Sequence, residues 1–253
     1  MERWLKAPLQ REDGSLVDRD RGTPQGSAIS PLLANVFLHY AVDLWMARSY
    51  PGVLFERYCD DVIVHASSER QARLLRDAIG RRLADCGLEL NERKTRIVYC
   101  KDDDRRGSSE HMSFDFLGYT FRPRLSKRKF GGQFVNFLPA ASDDARKRMR
   151  REVRRWRLHL RPDKTLTDLA RIFNPIIQGW INYYGRFYLS MLVRLLKRIN
   201  EYLVRWARWK YKRLRRYPAK ARRFLAAVYR REPGLFAHWR FGARPDGWTM
   251  GAR

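Results

Sequence analysis

Acidic residues are scarce in this 253-residue chain: 27 Asp and Glu stand against 53 Lys and Arg, a formal net charge of +26 at pH 7. The shortage is local. Residues 145–231 carry 27 Lys and Arg but 4 Asp and Glu, whereas the rest carries 26 against 23. A regional excess of this kind calls for a polyanionic partner. Nucleic acid leads; an anionic membrane surface or a ribosomal assembly competes. Cysteine is scarce too. Cys59, Cys86 and Cys100 have no metal-ligand spacing. An odd count without a secretory signal predicts reduced thiols and a cytoplasmic location. Met1 to Lys6 lacks the apolar core of a signal peptide, and no apolar run is long enough to span a bilayer. No internal repeat is present. Hydrophobic content is an ordinary 44%, enough to bury the core of one large domain or two modest ones.

The most informative stretch runs from Phe55 to Val64, FERYCDDVIV. Two apolar, partly β-branched runs flank an acidic pair. The flanks favour strands and the pair favours a turn. A β-hairpin with Asp60 and Asp61 at its tip is expected. Adjacent exposed carboxylates make a hard oxygen site suited to Mg²⁺, although an Asp-Asp turn taken alone is more often merely solvated.

Its neighbours add specificity. Upstream stands RGTPQGSAISP, residues 21–31, followed by an apolar stretch with helical spacing at Leu33, Val36, Phe37, Tyr40 and Leu44. Ser30 reads as N-cap and Pro31 as the first helical position. Downstream, Ser67 and Ser68 open a helix with a face of Ala72, Leu75, Ile79, Leu83 and Cys86, stopped at Gly87. Leu88 to Tyr99 reads as loop plus strand, 101–111 as a surface loop, and Phe114 to Phe121 as an aromatic strand pattern around Gly118.

This ordered series resembles the later palm motifs of reverse transcriptases, most closely those encoded by group II introns. That family's turn usually reads Tyr-Ala-Asp-Asp; Cys59 stands here for the Ala. The resemblance implies a two-metal Mg²⁺ site for phosphoryl transfer, with Asp60 as direct ligand and Asp61 in support. It places Pro24, Gln25 and Gly26 under the incoming dNTP and the RNA template–DNA primer pair, beside Tyr58. Lys94 would lie near the departing pyrophosphate, stabilising charge or donating a proton; a solvated loop lysine is the competing reading. Phe114 to Phe121 resembles the primer-grip hairpin, and the same aromatics suit plain core.

Residues 125–144 read as a linker. Ser142-Asp143-Asp144 then opens a strongly basic helix with acid at its positive end. A shorter helix is expected over 163–173, and a third from Asn174-Pro175 with a stripe of Ile176, Trp180, Tyr184 and Tyr188. FNPIIQGWINYYG, residues 173–185, closely resembles the intron maturase segment. A fourth helix, 191–216, buries Leu192, Leu195, Ile199, Leu203 and Trp206. Arg194, Lys197, Arg198, Arg205, Arg208 and Lys212 lie off that stripe and, interleaved with Trp206, Trp209 and Tyr211, suit RNA phosphates and bases. The tail from Pro233 shows no endonuclease-like Cys or His cluster.

The expected fold is therefore α+β: a partial palm (1–124), a linker (125–144), an all-α thumb and maturase-specific domain (145–231) and a tail (232–253). The resemblance implies that fingers and a first Asp-bearing palm motif precede the matched region, so a truncated form, paired or not with a separate N-terminal segment, is expected. Asp13, Asp18 and Asp20 sit in loop context and do not replace that Asp. The open readings are a reverse transcriptase and maturase acting on group II intron RNA, and a non-enzymatic intron-binding splicing factor or inactive fragment. Without the fingers and that first Asp, little or no DNA synthesis by this chain alone is expected.

Overall fold

The structure is a computed structural model describing residues 8–18, 22, 28–128 and 131–246. It divides into two compact units at Ile97–Val98.

In the first unit, β1 (Leu9–Gln10) and β2 (Leu16–Val17) form a small antiparallel hairpin. Its turn is closed by Asp13, which accepts hydrogen bonds from the Ser15 amide (2.9 Å) and hydroxyl (2.6 Å). A long helical rod follows: α1 (Ser30–Leu38), a π turn (His39–Asp43) and α2 (Leu44–Ser49). Ser30 is already the first helical residue, and Ile29 precedes it without a side-chain cap. The buried apolar residues are Ala41, Val42 and Met46, whereas Val36, Phe37 and Tyr40 are exposed. The sequence stripe missed this because the segment is apolar on several faces and the π turn shifts its phase. β3 (Phe55–Tyr58) and β4 (Asp61–Val64) pair antiparallel in the expected hairpin. α3 (Glu69–Asp85) starts at Ser68, whose hydroxyl accepts from the Gln71 amide at 3.2 Å. It ends before Gly87, whose φ of +72° would strain a residue carrying a Cβ. Leu83 joins Ala41, Val42 and Met46 in the unit's core. The strand expected within 88–99 does not form; residues 92–94 make a turn and 95–100 are irregular.

The second unit opens with a sheet of β5 (Phe114–Phe116), β6 (Tyr119–Lys127) and β7 (Gln133–Ala141), in that order. The stretch expected as a linker is thus largely strand. Its alternating apolar residues pair Leu125 with Val135 and Pro123 with Phe137. Asp103 of the 101–111 loop grips this edge, accepting from the Val135 amide at 2.8 Å.

The helices follow. α4 (Asp143–Arg155) is capped by Ser142, whose hydroxyl accepts from the Ala145 amide at 3.1 Å. α5 (Leu166–Tyr184) is one helix where two were expected, with Thr165 and Asp168 in a reciprocal capping box. Pro175 lies inside it on the exposed side, where water can satisfy the carbonyl left without a donor. Asn174 does not cap; its amide donates to the Leu235 carbonyl and accepts from the Ala237 amide. The continuous stripe Leu169, Phe173, Ile177 and Ile181 is buried, and Ile176 is exposed. α6 (Leu189–Lys210) buries Leu192, Leu195, Ile199, Leu203 and Trp206, and a 3₁₀ turn (Lys212–Leu214) follows it.

α7 (Pro218–Arg231) and α8 (Ala237–Arg240) complete the unit. What reads as a tail delivers Phe236, Trp239 and Ala243 to the hydrophobic core and buries His238 with them. Asn200, buried on α6, organises this end. Its oxygen accepts from His238 Nε2 and Trp239 Nε1, both at 2.8 Å, and its nitrogen donates to the Ala243 carbonyl at 2.9 Å. His238 therefore carries its proton on Nε2, and burial pushes its pKa down to about 3. Because the unfolded histidine titrates near 6.5, this contribution is complete above that pH and lost as pH falls towards 3. From pH 6.5, where half the unfolded histidines are protonated, to pH 5, unfolding free energy is expected to drop with a slope that rises from roughly half to nearly all of about 1.4 kcal/mol per pH unit. Urea titrations at pH 7, 6 and 5 check this, and His238→Gln should flatten the dependence.

Candidate active site and nucleic-acid interface

The β3–β4 hairpin closes through a two-residue loop, Cys59–Asp60, between the paired Tyr58 and Asp61. Cys59 has φ +54° while Asp60 stays negative, the sign pattern of a type II′ turn. Asp60, Asp61 and Tyr58 are exposed. As a directly opposed pair, Tyr58 and Asp61 project from the same face of the hairpin. Among the described residues neither Asp60 nor Asp61 has a hydrogen bond or ion pair, and carboxylate oxygens are the donor type a hard divalent cation requires. Among the described residues no cluster of three His, Cys, Asp or Glu gathers anywhere.

The other face of the hairpin is tied down. Arg57 forms a bidentate pair with Asp43 of the π turn, Nε to Oδ1 at 2.7 Å and Nη2 to Oδ2 at 2.6 Å. The guanidinium holds the Asp43 carboxyl below its ordinary range, and the carboxylate raises Arg57 in return. Nothing in the dipeptide Asp60-Asp61 announced this anchor. The spacing of Asn35, His39 and Asp43, four apart on one helix, was the signal available.

Pro24, Gln25 and Gly26 lie outside the described residues. Lys94 is exposed in a turn, its amide 3.0 Å from the Asn91 carbonyl, and its ammonium pairs with no described residue.

In the second unit, the β5–β6 hairpin turns through Leu117 and Gly118, both with positive φ. Its tip is latched to α5: the Tyr183 hydroxyl donates to the Leu117 carbonyl at 2.8 Å and the Tyr119 hydroxyl to the Tyr183 carbonyl. A Cβ on Gly118 would meet the Tyr184 hydroxyl at 2.8 Å, so the glycine is required by contact as well as by φ. Beyond it, buried Arg124 donates to the carbonyls of Leu138 and Thr120 and stacks over Tyr188 at 4.9 Å.

The basic residues are displayed on a rigid base. On α6, Arg194, Lys197, Arg198, Arg205 and Arg208 fall within about 100° of helical arc, with Glu201 as the sole acid among them. Arg208 is half-buried and donates to the Arg215 carbonyl at 3.1 Å. Lys212 is exposed, on the 3₁₀ turn and not on the helix. On α4, Lys147, Arg148, Arg150, Arg151, Arg154 and Arg155 are exposed while Ala145, Met149 and Val153 face the core. Trp206 is 0% exposed and cannot stack on a base; Trp209 is 62% exposed and can. An open cleft along α5 is lined by Arg171, Gln178 and Arg240, the last from the segment that reads as a tail.

Residues 1–121 match the family described as reverse transcriptase (RNA-dependent DNA polymerase), and residues 146–224 match the group II intron maturase-specific domain. The chain belongs to the group II intron reverse transcriptase/maturase family. No curated protein matches it. Both domains of this lineage are present in family order, and the mixed helix-and-sheet architecture agrees with them. The reverse-transcriptase domain implies dependence on a divalent metal. The two domains together imply contacts with intron RNA and with a template–primer duplex. Among the described residues no helix is long and apolar enough to cross a membrane.

Proposed function

We propose that this reverse transcriptase/maturase grips structured intron RNA through the exposed basic faces of α4 and α6, and supports RNA-directed DNA synthesis at the Asp60–Asp61 turn. The observation that carries the reading is the arrangement of the maturase unit. Its buried stripes fix α6 and the 3₁₀ turn after it, so that Arg194, Lys197, Arg205 and Lys212 are held outward. A backbone so fixed spares the ordering cost of the helix itself when these side chains meet a phosphate backbone. Such contacts position an RNA without reading its sequence, and Trp209 adds a stacking platform for an unpaired base.

At the turn, Asp60 and Asp61 would hold Mg²⁺, which when bound lowers the pKa of the primer 3′-hydroxyl and neutralises the nucleotide phosphates. Tyr58 stands on the same face, beside the path of the nucleotide. Lys94 supplies a positive charge for the departing pyrophosphate.

The RNA reading is tested by Arg194→Ala, Lys197→Ala, Arg205→Ala and Lys212→Ala. Each should weaken binding across RNA sequences and reduce the slope of log Kobs against log salt by roughly 0.7–0.9 per lost phosphate contact. Circular dichroism should stay unchanged, since all four are exposed. Affinities and slopes equal to the parent's in all four variants would overturn the interface.

A further inference from the structure

The acidic turn has no glycine, yet its first residue adopts a left-handed backbone: Cys59 has φ +54°. A side chain disfavours that region, and such a conformation persists only when its surroundings over-determine it. Arg57 provides the determination. Besides its two bonds to Asp43, its Nη1 donates to Asn35 Oδ1 at 2.9 Å and to the Cys59 carbonyl at 2.9 Å. One planar guanidinium thus joins the helical rod to the peptide unit that leads into Asp60.

The rod is shaped for this. Four residues of α-helix advance about 40° beyond a full turn, so Asn35, His39 and Asp43 would drift progressively around a regular helix. The π turn over His39–Asp43 inserts a wider loop and brings Asp43 back towards the face of Asn35. Both acceptors then meet the same fork, and His39 Nδ1 lies 3.3 Å from Asp43 Oδ2 on its outer side. An ion pair that merely anchored the hairpin would need neither the third acceptor nor the bond to Cys59. Lysine cannot replace this arm, because a single ammonium does not span acceptors spread across a plane.

We propose that Arg57, clamped by Asp43 and Asn35, is a positioning residue that holds the Cys59–Asp60 turn in the form presenting Asp60 and Asp61 to a divalent cation. This rests on the reading of those two carboxylates as metal ligands. Arg57 itself touches neither the metal nor the substrate.

The experiment uses the full chain with Mn²⁺ as the probe, its affinity followed by paramagnetic broadening, alongside amide hydrogen exchange. Asp60→Asn tests the metal reading and should remove Mn²⁺ broadening at the turn. Arg57→Lys and Asp43→Asn should each weaken Mn²⁺ affinity about 10-fold, and the double variant no further, because the pair acts as one device. In the same variants, amides of residues 60 and 61 should exchange at least about 10-fold faster while those of α3 keep their protection. Arg57→Lys with parental Mn²⁺ affinity and parental turn exchange overturns the proposal. So does loosening of turn and α3 together in every variant, which would make the clamp a plain structural tie. Should Arg57→Lys alone unfold the unit, Asn35→Ala makes the same comparison with the Asp43 pair intact: faster turn exchange supports the proposal and unchanged exchange overturns it. If Asp60→Asn leaves Mn²⁺ broadening in place, the metal-ligand reading fails, and the proposal, which requires that cation, falls with it. Faster turn exchange in Arg57→Lys would then establish only that the clamp holds the turn.

Discussion

Replacing Asp60 by Asn is expected to reduce primer extension that depends on this chain by at least about 1000-fold. The amide keeps the shape of the side chain and removes its charge. A ligand that helps neutralise a transferring phosphoryl group is worth several kcal/mol in the transition state, and each 1.4 kcal/mol or so is a factor of ten. Asp61→Asn should follow the same direction with a smaller loss, its role being support. RNA affinity should stay within about twofold, because the basic side chains of α4 and α6 belong to the other compact unit. Extension assays with Mg²⁺ and filter binding on the same preparations separate the two outcomes. Extension within tenfold of the parent would sink the assignment of Asp60.

Trp206→Ala is expected to be the most damaging single change in the maturase unit, costing about 3–5 kcal/mol for the lost volume. The indole is fully buried, its Nε1 donates to the Arg161 carbonyl at 2.9 Å, and its ring meets Tyr211 edge-on at 6.0 Å. Truncation opens a cavity where α6 packs on the turn after α4, and leaves the Arg161 carbonyl without that donor. For a unit of this size the loss should lower the melting temperature by roughly 10 °C or more. Trp209→Ala, three residues on and exposed, should leave stability within about 0.5 kcal/mol yet weaken RNA binding. A thermal scan of both variants decides. Equal stability losses would mean that burial does not distinguish them.

Chemistry-bearing local features were legible because short-range rules decide them. The acidic hairpin followed from β-branched flanks and a two-residue break, the caps Ser68 and Ser142 from their hydroxyls, and the stop at Gly87 from its missing Cβ. The basic helices followed from charge counting, and the family from the order of motifs along the chain. Features that failed were those in which a distant partner changes a local preference. Pro175 reads as a helix start because proline suits a first turn, but Asn174 is engaged by Leu235 and Ala237 and the apolar stripe runs straight through. The 125–144 stretch reads as a linker because it is basic and Gly-containing, but β6 and β7 pair across it.

The sequence by itself determined many of the elements, the lineage, the acidic turn and the positive sign of the helical surface, because propensity, spacing and charge are properties of neighbouring residues. Tertiary structure alone decided which aromatics are core and which are free to stack, and it drew Phe236, His238 and Trp239 out of an unremarkable tail into a buried network around Asn200. It also decided that Arg57 reaches back to Asp43 and Asn35 and forward to the Cys59 carbonyl. Those four groups converge only after a helix has been widened by a π turn and a hairpin laid against it, a geometry that no local preference encodes.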